Sequence, residues 1–255
     1  MIELTPQANQ FRVQIKELLR TQSLGFRTLH IARHLHVYTS GERDTMVYYV
    51  ESGQVKLLLP TPEGKECLLA IRTEGEIFGE LCLSGQLARL ETAVAMQDAT
   101  VKQIPHRSFI ASLKNESLLE GLVQYLAMRI SEQHEIIGAM ATSNSEQRLA
   151  KTLLSLGRRM GRFNSGKLRM NQRISHEELS EMVGTTRPRV GIFLKKFREL
   201  GLIQVSQEHC LIIEEKMLED YVRRCSLGEK PDLNSMQTLN PPSTKPYRFL
   251  PTSST

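Results

Sequence analysis

The 255-residue chain has no tryptophan, only four cysteines and 5% aromatic residues. Cys67, Cys82, Cys210 and Cys225 lie far apart with no CxxC pair, so neither a disulfide scaffold nor a zinc or iron–sulfur ligand set is indicated. No apolar run approaches the roughly 20 residues that span a bilayer. The N-terminal MIELTPQANQ lacks a basic stretch followed by an apolar core, so no signal peptide is expected. These absences predict a cytoplasmic protein with no membrane partner. Paired carboxylates, a nucleophile–base motif and a P-loop are also missing, which speaks against an enzyme. The histidines His30, His34 and His36 are spaced for a metal, but isolated histidines of this kind are mostly plain polar residues, and no metal site is expected.

What is present suffices for two modest domains with real cores: 40% of residues are hydrophobic and 24% charged. The formal charge of +5 is unevenly spread. Residues 1–141 carry 14 Lys and Arg against 16 Asp and Glu, whereas residues 142–225 carry 16 against 10. A basic half attached to a near-neutral half suits a nucleic-acid-binding module joined to something else. Five of the ten prolines fall in the last thirty residues among many Ser and Thr, so 226–255 reads as a disordered tail.

In the first half, Gly41, Gly53, Gly64 and Gly75 recur every 11 or 12 residues within polar turns. Between them lie short β-favouring runs, MVYYV (46–50), VKLLL (55–59) and CLLAI (67–71), followed later by TAVAM (92–96) and TVKQI (100–104). Regular short strands with glycine turns indicate an antiparallel sandwich or barrel over 1–116. Pro105 then opens a short helical piece, HRSFIASL. From 117 to 141, Leu119, Val123, Leu126, Ile130, Gln133, Ile137 and Met140 alternate by four and three. That is a heptad seam with one polar member, better suited to pairing with a second helix than to packing on its own domain.

In the basic half, 142–225, an amphipathic helix (146–160) precedes a turn, GRFNSGK, and a short strand, LRMN. Ser175 and Glu178 form a capping-box pattern that starts a helix running to about Met182, and Gly184 ends it. Thr186, Arg187 and Pro188 open a second helix. Val190, Phe193, Leu194 and Phe197 give it an apolar stripe, and Arg187, Gly191, Ile192 and Lys195 an outward face. No acidic residue lies between Met182 and Arg198. Gly201 ends this helix, and LIQVSQEHCLII reads as a hairpin. Helix, tight turn, basic helix and hairpin make a winged helix-turn-helix, whose second helix enters a DNA major groove.

Here a resemblance becomes specific. ISHEELSEMVGTTRPRVGIFLKKFRELGLI resembles the helix-turn-helix of the Crp/Fnr family of bacterial regulators, and GEIFGELCLSG followed by Arg89 resembles that family's cyclic-nucleotide-binding β-roll. The likeness runs from about residue 27 to 224. It implies an α+β chain with an N-terminal antiparallel, cupin-like jelly roll, a long dimerisation helix and a C-terminal winged helix-turn-helix. It also implies a homodimeric transcription regulator acting on double-stranded DNA, with RNA polymerase as a partner. The alternative left open is a nucleotide-sensing module whose basic domain binds a protein or a membrane.

The resemblance assigns an effector site. Gly79, Glu80 and Leu81 match its phosphate cassette, with Glu80 on a ribose hydroxyl, the backbone N–H groups of 79–81 toward a cyclic phosphate, and Arg89 on that anion. Gln133 and His134 stand at the base-contacting positions of the long helix. No cofactor is required, and cyclic AMP is the effector the resemblance implies. Leu90 and Glu91 depart from the family's Ser or Thr and Ala, and a Glu91 carboxylate beside a phosphate repels it. A cyclic nucleotide in altered geometry, another small anion, or an empty pocket with Glu80 and Arg89 as an internal ion pair all remain open. On the DNA side, Arg187 matches a guanine-reading Arg, and Ile192 suits a thymine methyl. Arg189 and Lys195 suit phosphates or bases, and Thr185 and Thr186 a phosphate at the helix N-terminus.

Overall fold

A computed structural model describes residues 6–21, 25–61, 66–171 and 173–229, with side chains from residue 10 onward. The turn expected at Gly64 and nearly all of the expected disordered tail lie outside the described residues. Helix α1 (Pro6–Thr21) is followed by strands β1 (Arg27–Ile31), β2 (His36–Tyr38), β3 (Met46–Ser52), β4 (Gln54–Pro60), β5 (Glu66–Thr73) and β6 (Ile77–Phe78). A 3-10 helix (Glu80–Ser84), β7 (Thr92–Ala95), β8 (Ala99–Pro105), α2 (His106–Asn115) and the long α3 (Leu119–Thr142) come next.

The eight strands make two antiparallel four-stranded sheets, in the orders β1-β8-β3-β6 and β2-β7-β4-β5. Their facing sides share one core, in which Tyr38, Tyr48, Val50, Val55, Leu57, Phe78, Ala93, Ala95 and Val101 are buried. This is the expected jelly roll. The runs VYYV of β3, LL (57–58) of β4 and CLLAI of β5 are continuously apolar because both faces of these strands are covered. Val47, Tyr49, Ile77 and Ile104 point the other way and pack under α1, α2 and α3. Phe11, Ile15, Leu18 and Leu19 of α1 close that layer, and Gly121 gives α1 its close approach to α3, since a Cβ there would stand 2.9 Å from the Phe11 ring.

The outer face of the second sheet is covered by the C-terminal half of the same chain. Leu58, Leu68, Ile71 and Val94 belong to the core of α4 (Ser145–Met160), α5 (His176–Val183), α6 (Arg187–Glu199) and α7 (Glu215–Ser226). Leu57 and Leu58, adjacent on β4, point to opposite faces of the sheet and so join one core each. A third sheet, β11-β12-β10-β9, backs these helices, with β9 at Gly161–Asn164, β10 at Lys167–Met170, β11 at Ile203–Val205 and β12 at Leu211–Glu214. The stretch GRFNSGK, expected as a turn, is therefore mostly strand. Only Ser165 and Gly166, with φ of 50° and 81°, make the reversal.

α3 divides its surface. Leu122, Tyr125 and Met128 are buried on the jelly roll. The seam residues Val123, Ile130 and Ile137 are 64%, 57% and 64% exposed, with Leu119 and Met140 also exposed.

Candidate functional site

The helix-turn-helix is assembled by local chemistry, of which the Ser175–Glu178 cap and the Gly184 stop were expected from the sequence. Asn144 and Gln147 cap α4 reciprocally, as Ser175 and Glu178 cap α5. Gly184 ends α5 in the left-handed region, at φ 65°, and its N–H donates to the Ser180 carbonyl. Two residues later Thr186 opens α6 through its backbone alone, its hydroxyl making no bond to the helix. Val190, Leu194 and Phe197 are buried. Arg187, Arg189, Ile192 and Lys195 are all exposed, and Ile192 is 65% exposed although apolar. Lys195 has a loose intrahelical partner in Glu199 at 3.9 Å. Thr186 is exposed, but the Thr185 hydroxyl oxygen is buried without a partner. Of the two threonines, Thr186 is the one presented at the helix N-terminus.

Two fixed charges missed at the sequence level hold this unit. Arg148 of α4 donates from Nε to the Val183 carbonyl at 2.8 Å, from Nη2 to Gly184 at 3.3 Å and from Nη1 to Ser143 at 2.7 Å. One guanidinium thus ties the turn of the helix-turn-helix to the joint between α3 and α4. Glu146 pairs with Lys196 at 2.6 Å and accepts from the Tyr221 hydroxyl, fixing α6 and α7 to the start of α4. Residues separated by dozens of positions carry no local signal for such pairs.

The β-roll site is built differently from the expectation. Arg89, 5% exposed, donates to Asp44 Oδ2 at 2.7 Å and to the carbonyls of Gly79 and Met46, each at 2.6 Å. Its guanidinium lies 4.3 Å from the centre of the Tyr38 ring, and Tyr38, Tyr48 and Phe78 stack beneath it. Gly79 is glycine for a reason: at φ 72°, a Cβ there would stand 2.8 Å from Arg89 Nη1. The internal pair between Glu80 and Arg89, one of the alternatives left open, does not form. Glu80 instead pairs at 2.9 Å with Arg129 of α3, leaving its Oε2 buried and unpartnered.

Glu91 is buried, and its Oε1 accepts from the Tyr38 hydroxyl at 3.0 Å. Burial pushes its carboxyl above the ordinary 4.5, opposed by the Tyr38 hydrogen bond. Burial and the neighbouring Glu91 likewise push the Tyr38 phenol far up. Asp44, Cys82, Arg89 and Glu91 help line a cavity of about 10 Å³, room for about one water. Leu81 and Leu90 are half-exposed at its rim. Gln133 and His134 do not line it: the first is half-buried and the second exposed on the far half of α3. Of the six expected effector residues, the structure brings Leu81 and Arg89 to the cavity, places Gly79 against Arg89, and turns Glu80 to α3.

Residues 28–116 match the cyclic nucleotide-binding domain family, and residues 147–221 match the Crp-like helix-turn-helix domain family. A regulator from Pasteurella multocida described as cAMP-activated global transcriptional regulator CRP is 30% identical over 180 residues, covering 67% of this chain and 85% of that protein. The chain belongs to the Crp/Fnr family. It is accordingly a member of a family of DNA-binding transcription regulators, a non-catalytic class. A CRP-like cAMP-activated global transcriptional regulator of Mycobacterium tuberculosis is 29% identical over 185 residues, covering 71% of this chain and 82% of that protein. Among solved structures, a CooA variant from Carboxydothermus hydrogenoformans superposes with a TM-score of 0.68 at 23% identity, over 81% of this chain and 94% of that one. That likeness concerns the fold.

Proposed function

We propose that this Crp/Fnr chain is a homodimeric, sequence-specific regulator that reads a pseudo-palindromic operator with α6. The observation that carries this reading is the pairing of two uncovered surfaces on one chain. α6 presents Arg187, Arg189, Ile192 and Lys195 to solvent, and α3 presents an apolar seam at heptad spacing. Two copies joined along α3 place two α6 helices about a twofold axis, and such a pair reads half-sites roughly 34 Å apart. Arg187 is the base reader, bidentate to a guanine. Ile192 meets a thymine methyl, and Arg189, Lys195 and Thr186 hold phosphates. RNA polymerase is the partner through which an operator-bound dimer of this kind changes transcription.

Selection of bound duplexes from a random pool tests the reading. The expected product is a palindrome with half-site centres about one helical turn apart. Binding that falls with salt but ignores sequence, or a purified chain that stays monomeric, overturns it.

A further inference from the structure

The two charged side chains expected to grip a cyclic nucleotide in this β-roll, Arg89 and Glu80, each already have an intramolecular partner of opposite charge. Arg89 donates to Asp44, Gly79 and Met46. Glu80 is committed to Arg129. Lining the same cavity as Arg89 is Glu91, a buried carboxylate held by Tyr38, whose ring in turn lies against the Arg89 guanidinium. The remaining space, about 10 Å³, is far below the roughly 300 Å³ or more that small-molecule sites enclose. An incoming cyclic phosphate would meet two carboxylates, Asp44 and Glu91, lining the same cavity as the one cation meant for it. The residues present do not fit a cyclic phosphate.

We propose that Glu91 and Asp44 are built-in anions that neutralise and fill the effector cavity, closing this β-roll to cyclic nucleotides. Glu91 is then the specificity-determining residue. Its side chain reaches inward from the strand edge, while the neighbouring Leu90 is half-exposed at the rim and blocks nothing inside. The inference rests on the regulator reading only for the meaning of the cavity, and its test reads nucleotide occupancy rather than DNA.

The test is titration of the full-length chain with cyclic AMP and cyclic GMP by calorimetry, for the native protein, Glu91→Ala, Glu91→Gln and the double change Asp44→Asn with Glu91→Ala. The native chain is expected to give no heat of binding at millimolar nucleotide. Glu91→Ala removes charge and bulk together and is expected to tighten binding roughly hundredfold, since a like charge at a binding surface costs several kcal/mol. Glu91→Gln, which keeps the bulk and is the variant most certain to fold, is expected to gain less. Native binding in the micromolar range overturns the proposal. So does the absence of any gain in variants whose circular dichroism and melting show an intact fold. A palindrome recovered from the random pool alongside either failure would leave the DNA reading standing and remove only this one.

Discussion

Arg159, in the last turn of α4, reaches back to the β-roll and donates to Glu76 Oε1 at 3.1 Å and to the Ile71 carbonyl at 3.2 Å. Glu76 lies just before β6, is 5% exposed, and also accepts from the N–H of Thr73. This buried carboxylate thus adds an ionic tie to the apolar contacts that join the C-terminal half of the chain to the jelly roll. Burial pushes this carboxyl up, but the guanidiniums of Arg159, Arg72 and Arg12, with the Thr73 hydrogen bond, outweigh it and bring it down to about 2. The folded value lies below the ordinary 4.5, so the ionised form is favoured by the fold. The stabilisation is therefore complete above pH 4.5 and is lost as pH falls toward 2. Glu76→Gln leaves Arg72 and Arg159 without a counter-charge and should destabilise the chain by about 3 kcal/mol at neutral pH. Melting temperatures of the native chain and the variant, taken from pH 7 down to pH 2, should converge at the acid end. A gap that stays constant with pH would show that the carboxylate charge is not what joins the two halves.

The guanidinium of Arg148 makes a similar connection within the DNA-reading half. It satisfies two carbonyls at the end of α5, where the helix leaves its last acceptors open. Arg148→Met keeps the apolar stem and removes three charged donors, of which the two short ones, to Val183 and Ser143, are each worth about 1.5 kcal/mol while the long, exposed one to Gly184 adds little. Loss of about 3 kcal/mol in stability is expected. Operator affinity should fall with no change in the preferred sequence, since the arginine orients α6 without facing DNA. A shift in base preference, measured by competition between operator variants, would contradict that role.

Much of this architecture was legible in the residues because its causes are local. The Ser175–Glu178 capping box, the Gly184 stop and the apolar stripe of α6 each arise within one or two turns of chain. Glycine-punctuated strands were legible for the same reason. The reading missed α1, although Phe11, Ile15, Leu18 and Leu19 have helical spacing, it missed β1 and α7, and it missed β2 and β6, which are too short to show a period. The effector cassette is the instructive case. Its motif was correct as a string, yet its meaning turns on Asp44 and Arg129, which lie 45 and 49 positions from the groups they neutralise. No local pattern encodes such pairs, so the contacts of Arg89 with Asp44 and of Glu80 with Arg129 could not be read from the cassette.

The seam of α3 offers a direct test of assembly. Val123, Ile130 and Ile137 are large aliphatic side chains left in water by this chain alone. Each contributes about 1.5–3 kcal/mol when buried. Ile130→Glu with Ile137→Glu places like charges opposite one another along a paired seam while touching none of the residues packed on the jelly roll. Sedimentation should show a dimer for the native chain and a monomer for the variant, with the jelly-roll fold retained. A variant that still sediments as a dimer would move the interface elsewhere.

Arg187 separates base reading from simple attraction to phosphate. It is exposed at the start of α6 with no acidic residue in that first turn, so its guanidinium is available to a guanine edge. Arg187→Ala should cost about 1–3 kcal/mol on the selected operator and relax preference at one position of each half-site. Lys195→Ala, further along the same face, should weaken binding to every sequence alike and reduce the salt dependence by about one phosphate contact per subunit. Measured on a panel of single-base operator variants at two salt concentrations, the two substitutions should give different signatures. If Arg187→Ala instead lowers affinity uniformly and flattens the salt slope, the residue is a phosphate contact, and base recognition must lie with Ile192 and Arg189.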